Sequence, residues 1–153
     1  MVEIDKVAVL GRSAVFGRLP TEALSLLAEM LRIEEFSAES TVCELGEPAD
    51  SVFIVGSGKL SVLVGPPGAR GEAALIREIS EGDVVGEYGM FGTRGRTATV
   101  RADTDAVLFS LDYQRFRDFL FTRPEAMWAL FAVSVDRLSK AERGLLSRVE
   151  PAA

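Results

Sequence analysis

The chain changes its hydrophobic period twice. Up to residue 31 the apolar positions recur at helical spacing. Leu24, Leu27, Ala28 and Leu31 share one face of Thr21–Leu31, with Pro20 and Thr21 suited to a helix start. Upstream, Val7, Leu10, Val15, Phe16 and Leu19 form a second apolar set broken by Gly11 and Gly17, which predicts short helices joined by tight turns. From Ile33 the pattern shortens. Ser51–Val64 reads as two β-rich runs on either side of Gly56-Ser57-Gly58, a hairpin signature. Glu44–Asp50 and Gly65–Gly71 read as loops from their glycines and prolines. Ala73–Ile79, Asp83–Val85, Thr97–Ala102 and Ala106–Leu111 complete a set of about eight short strands. Strands so closely spaced predict a barrel or jelly roll, not a parallel α/β sheet.

After Leu111 the helical period returns. Asp112 is placed to cap a helix from Tyr113 to Phe121. Thr122-Arg123-Pro124-Glu125 then has the T-x-x-E form of a capping box, with proline in the first turn. Beyond it Met127, Leu130, Phe131, Leu138, Ala141 and Leu145 recur at helical spacing to about Val149. Trp128, Val133, Val135 and Leu146 add apolar positions on other sides, so the last helix has surface for a protein partner as well as for the roll. The expected fold is α+β and mainly β, in a single domain over 1–153. Helices over 1–31 precede an eight-stranded antiparallel jelly-roll β-roll over 32–111, and C-terminal helices over 112–150 follow it.

Composition then removes several chemistries. The chain has no histidine, and so lacks the commonest general base and the commonest metal ligand. A cupin-type metal site is disfavoured for that reason, and no metal is expected. Asp83 with Glu87 is too slight a basis for two-carboxylate glycoside chemistry, and no enzymatic activity is expected. The net charge of −6 argues against a general nucleic-acid surface and requires local cations for any anionic ligand. Cys43 is the single cysteine; Thr41, Val42 and Leu45 around it predict a strand and a buried structural thiol. With no signal peptide visible and no apolar run near the roughly 20 residues of a membrane span, a cytoplasmic protein without membrane contact is expected.

The segment Gly86–Val100, GEYGMFGTRGRTATV, carries the candidate chemistry. Gly86 and Gly89 let backbone amides approach an oxyanion, and one short helical turn there would present unpaired N–H groups. Arg96 can fork onto a phosphate. Glu87 suits a sugar hydroxyl, which donates to a carboxylate. Phosphate and ribose together describe a nucleotide site. The bland alternative is a surface ion pair between Glu87 and Arg96 among turn glycines.

These residues resemble the phosphate-binding cassette of cyclic-nucleotide-binding domains, whose pattern is G-E, eight or nine residues, then R, a small residue and A-T-V or similar. Eight residues separate Glu87 from Arg96 here, as in kinase and channel members. Arg96–Leu111, RTATVRADTDAVLFSL, is similar to hyperpolarisation-activated and related cyclic-nucleotide-gated channels, and Val135-Asp136-Arg137-Leu138 is similar to an I-D-R-L stretch in their last helix. ELGEPADSVFIVGSGKLSVLV, from Glu44, resembles the family's first hairpin, and Phe16–Leu31 its leading helices.

The resemblance implies roles for individual residues. Glu87 would accept from the ribose 2′-hydroxyl and Arg96 would bind the cyclic phosphate. Gly86 and Gly89 would close around the sugar-phosphate, with Thr97 and Ala98 beside phosphate and base within a cassette over 86–98. Val62 would line the purine pocket and Arg137 would cap the base. Tyr88 departs from the family's aliphatic residue, and Gly89 from its alanine; Tyr88 either crowds the pocket mouth or packs outward. Thr97 is the type that can reach the guanine amino group, yet it also occurs in cAMP-preferring members. The expected ligand is cAMP, with cGMP as second candidate, and occupancy would be transmitted by drawing the last helix toward the roll. Catabolite-activator-type regulators share the domain but add a helix-turn-helix module of several dozen residues, so a sensor domain without that module is expected, either as a small ligand-responsive adaptor or as a fragment of something longer with a fused effector. A member of the fold that has lost nucleotide binding and serves as a protein-interaction module is the alternative.

Overall fold

A computed structural model describes residues 3–64, 74–92 and 95–149. The expected loop Gly65–Gly71 and the strand start at Ala73 lie outside the described residues, as do the side chains of Leu145 and Leu146. The strands are β1 (Arg32–Phe36), β2 (Thr41–Cys43), β3 (Ser51–Ser57), β4 (Leu60–Val64), β5 (Ala74–Ile79), β6 (Val84–Val85), β7 (Thr99–Ala102) and β8 (Ala106–Asp112). They form two antiparallel four-stranded sheets, β1-β8-β3-β6 and β2-β7-β4-β5. The expected β-roll is thus present, with helices α1 (Lys6–Gly11) and α2 (Thr21–Met30) before it and α3 (Tyr113–Thr122) and α4 (Pro124–Val149) after it.

The two sheets are buried differently, and the sequence pattern of their strands follows. The first sheet is covered on both faces at its two central strands, β3 and β8, while the edge strand β1 is largely exposed. Val52 and Ile54 of β3, with Val107, Phe109 and Leu111 of β8, pack on Leu10, Phe16, Leu27, Phe116 and Leu130 of the helical layer. The alternate residues Phe53, Val55, Ala106 and Leu108 point into the roll against Cys43, Leu60, Val62, Ile79 and Val100 of the second sheet. Two-sided burial is why SVFIV and AVLFSL are near-continuous apolar runs, while β7 and β5, with one face in solvent, mix polar and apolar residues.

Three local expectations are corrected. β3 and β4 do not form a hairpin. β3 continues through Gly56 and Ser57, the chain turns at Gly58-Lys59, and β4 enters the other sheet. Gly58 has a φ of 95°, and a Cβ there would lie 2.5 Å from the Asp105 carbonyl oxygen, so the corner requires glycine. Thr122 does not cap α4 in a capping box. It closes α3, its hydroxyl donating to the Phe119 carbonyl at 2.8 Å, and α4 begins at Pro124. Of the described side chains in the periodic apolar set on α4, only Leu130 is core. Phe131 is 59% exposed and forms, with Trp128 and Val135, an outward stripe, whereas Leu138, though 58% exposed, is on the side of α4 that faces the β-roll cavity. The side that packs inward is Ala126, Leu130 and part of Val133. Asp112 does cap α3, accepting from the Arg115 amide at 2.9 Å.

Candidate functional site

The site begins where β6 ends. Gly86 has a φ of 85°, which breaks the strand, and Glu87–Phe91 winds into a single 3-10 turn. The turn aims Glu87 inward, so that the carboxylate is 1% exposed. Arg96 arrives from the other side, just before β7, and the Glu44–Asp50 loop holds its backbone. Its amide donates to the Glu47 carbonyl at 2.7 Å, and the Gly46 amide donates to its carbonyl at 2.8 Å. The Leu45 amide donates to Thr99 Oγ1 at 3.0 Å, fixing the same loop to β7.

The Arg96 side chain is 9% exposed. Its Nη1 donates to the Ser51 carbonyl at 2.9 Å, to Tyr113 Oη at 3.3 Å and to the Gly86 carbonyl at 3.4 Å, and Nη2 reaches Ser51 Oγ at 3.4 Å. The guanidinium also lies over the Phe53 ring, 5.3 Å from its centroid. Glu87 does not pair with Arg96. Its Oε1 accepts from Arg137 Nη1 of α4 at 3.0 Å, and the same nitrogen donates to the Val84 carbonyl at 2.9 Å. The two opposite charges expected on sugar and phosphate therefore converge as separate functional groups, not as an ion pair with each other.

Between them is a cavity of about 210 Å³. Gly86, Glu87, Tyr88, Arg96, Thr97, Ala98, Val62 and Arg137 all line it. Gly89 does not. Its open side abuts the Tyr113 ring, and any Cβ at this position would collide with that ring and its hydroxyl. Tyr88 belongs to the wall; burial, then the neighbouring Glu87 carboxylate, pushes its phenol pKa up, so it stays a neutral hydroxyl.

Three ionisable residues at the site were not foreseen. Tyr113, the first residue of α3, donates its hydroxyl to the Gly86 carbonyl and accepts from Arg96, which ties cassette to helix. Burial pushes its pKa up, keeping the donor protonated. A glycine at 89, with an aromatic at the first position of the next α-helix, was the available signal. Cys43 lines the floor, its thiol pushed up by burial. Arg77 of β5 lines the opposite wall and is a cation interrupting the apolar run ALIREI. Among the described residues, no cluster of three or more His, Cys, Asp or Glu could hold a metal ion, and no helix is long and apolar enough to cross a membrane.

Comparison with known proteins agrees with this geometry. Residues 33–123 match the family model described as the cyclic nucleotide-binding domain. The chain is 28% identical over 137 residues to a CRP-like cAMP-activated global transcriptional regulator of Mycobacterium tuberculosis, covering 90% of this chain and 60% of that protein. It therefore spans less than two thirds of that relative. The catabolite activator protein of Thermus thermophilus superposes with a TM-score of 0.77 at 23% identity, over 88% of this chain and 63% of the other. The regulatory subunit of a cAMP-independent protein kinase A from Trypanosoma cruzi, bound to guanosine, superposes with a TM-score of 0.74 at 23% identity, over 95% and 51%. These relatives are regulatory proteins.

Proposed function

Since the chain belongs to the cyclic nucleotide-binding domain family, we propose that it binds a cyclic nucleotide in this cavity and reports occupancy through α4. The observation that carries the reading is the convergence on one cavity of a buried carboxylate, Glu87 at the start of the 3-10 turn, and a buried guanidinium, Arg96 just before β7, each separately held. Ribose donates a hydroxyl to Glu87, and the cyclic phosphate accepts from Arg96, Gly86 and the neighbouring Thr97 and Ala98. Val62 supports the base. Relatives named for cAMP make it the first ligand to test, and cGMP is the second. The protein acts as a regulatory sensor in the cytoplasm, without enzymatic activity, nucleic-acid contact or membrane contact of its own. The exposed stripe of α4 is the surface for a protein partner.

Signal transmission follows from who holds Glu87 in the free protein. Arg137 occupies the carboxylate that ribose would use. Nucleotide entry exchanges that contact for one between Arg137 and the base, and α4, which carries Arg137, shifts with it. The ion pair also supports the alternative, a fold member whose sugar site is permanently closed and which serves only as an interaction module.

Titration calorimetry with cAMP and cGMP on the wild type and on Arg96→Ala separates these readings. Charge-assisted hydrogen bonds are worth about 1.5–3 kcal/mol each. Losing the two that a guanidinium makes to phosphate lowers affinity by at least about a hundredfold. A wild type that binds neither nucleotide establishes the closed module, and an unaffected Arg96→Ala overturns the phosphate assignment.

A further inference from the structure

The chain has two tyrosines, and both stand at the cassette. Tyr113 opens α3 and uses its hydroxyl twice, donating to the Gly86 carbonyl and accepting from Arg96 Nη1. Tyr88 follows Glu87 in the 3-10 turn and is half-buried on the cavity wall. Its hydroxyl makes no hydrogen bond with any described residue. The Glu87 carboxylate beside it is only half used. Oε1 accepts from Arg137 Nη1 at 3.0 Å and from Ser134 Oγ at 3.5 Å, whereas Oε2 accepts from no described residue. An unused neutral donor and an unused charged acceptor thus come from consecutive residues on one wall.

Resting on the cyclic-nucleotide reading above, we infer that Tyr88 is a second ribose-reading residue, whose phenol donates to the 2′-hydroxyl oxygen while that hydroxyl donates to Glu87 Oε2. A hydroxyl is one donor and two acceptor lone pairs. A carboxylate reads the donor alone and leaves the ribose oxygen without a partner in a partly dry site. Tyr88 supplies that partner, so the pair selects ribonucleotides over 2′-deoxynucleotides from both sides of one group. A site built to bond a hydroxyl in this way rejects the analogue that lacks it, because its own polar groups are then left unpaired. Among the described side chains that line the cavity, the other hydroxyl is that of Thr97, which adjoins Arg96 at the phosphate.

The protonation state of the phenol suits this role. Burial pushes its pKa up and the Glu87 charge pushes it further, with Arg77 and Arg137 acting against both. The hydroxyl therefore keeps its proton at neutral pH and stands beside the carboxylate as a donor, not as a second anion. An aliphatic side chain at this position cannot supply the bond. Tyr88 is then part of the ribose site and not an obstruction at the pocket mouth.

The test is calorimetric titration of the full chain, Tyr88→Phe and Tyr88→Leu with cAMP, cGMP and their 2′-deoxy analogues. The wild type should bind each ribonucleotide at least about tenfold more tightly than its 2′-deoxy analogue. Tyr88→Phe keeps the ring and removes the donor. It should weaken the ribonucleotides by about threefold to tenfold, leave the 2′-deoxy analogues unchanged, and so narrow the margin by the same factor. Tyr88→Leu should narrow the margin equally, so the measurement stands if either variant does not fold. A margin that is unchanged in a folded variant overturns the inference, because a purely structural tyrosine affects both kinds of ligand alike. A Tyr88→Leu that tightens every ligand also overturns it and makes Tyr88 an obstruction at the mouth. Both outcomes leave the cyclic-nucleotide reading intact, whereas a wild type that binds none of the four ligands overturns that reading and the inference together.

Discussion

The two ends of the cavity are built on opposite principles. At the cassette end the described charged groups that line the cavity already have partners: Arg96 spans Ser51, Gly86 and Tyr113, while Glu87 holds Arg137. At the base end the walls are apolar, and the one cation, Arg77, bonds to no described residue. Groups at the first end serve the free protein as well as the ligand, because they tie β3, the cassette turn, α3 and α4 together. The group at the second end makes no hydrogen bond or ion pair with the described residues of the free protein. Substitutions at the cassette end should therefore lower stability and affinity together, and those at the base end should change affinity alone.

Glu87→Gln is the strongest blow to the first end. The amide still accepts from Arg137, but the buried charge pair is gone, and a fully buried site senses the loss. Stability should fall by about 1–3 kcal/mol and nucleotide affinity by about tenfold to a hundredfold. Thermal unfolding and calorimetric titration read the two quantities. A variant that loses affinity at unchanged stability would show that the Arg137 contact contributes nothing to the free fold.

Tyr113→Phe is milder because it removes one hydroxyl and keeps the ring that fills the space beside Gly89. The Gly86 carbonyl loses its donor from Tyr113, and Arg96 loses one of its acceptors. A neutral hydrogen bond is worth about 0.5–1.5 kcal/mol net, which sets the expected loss of stability. Affinity should fall by no more than about tenfold, through a less firmly aimed Arg96. Equal affinity with reduced stability would separate the positioning of Arg96 from its binding role.

The cassette end was also the legible end. Its signal is local: Gly86, Glu87 and Arg96 lie within one short segment, so their spacing can be read directly along the chain. The strand count was legible because β3 and β8 carry long apolar runs. Their pairing was not. Gly56-Ser57-Gly58 has the composition of a hairpin, but the sheet that each flanking strand joins depends on β5, β6, β7 and β8, far along the chain. The periodic residues of α4 misled for a related reason. Periodicity shows that a helix has an apolar stripe, not whether this domain covers it, and Trp128 is 72% exposed. Tyr113 and Arg77 are contacts between segments distant in sequence, so neither belongs to any motif.

The smallest expected effect is the sharpest check of the difference between the ends. Arg77→Met retains an unbranched stem against Val62 and Ile76 and removes a cation that has no hydrogen-bonding partner among the described residues. No hydrogen bond or ion pair among the described residues is lost with it, and the cost of partly drying a guanidinium beside Arg137, which outweighs the attraction of Glu87, Tyr88 and Asp83, is relieved. Unfolding free energy should stay level or rise, by no more than about 1 kcal/mol, while Glu87→Gln and Tyr113→Phe both fall. Denaturant titration of the ligand-free variant reads this directly. A loss as large as that of Glu87→Gln would mean that Arg77 is held in the free protein, and that the base end, like the cassette end, is complete before any ligand arrives.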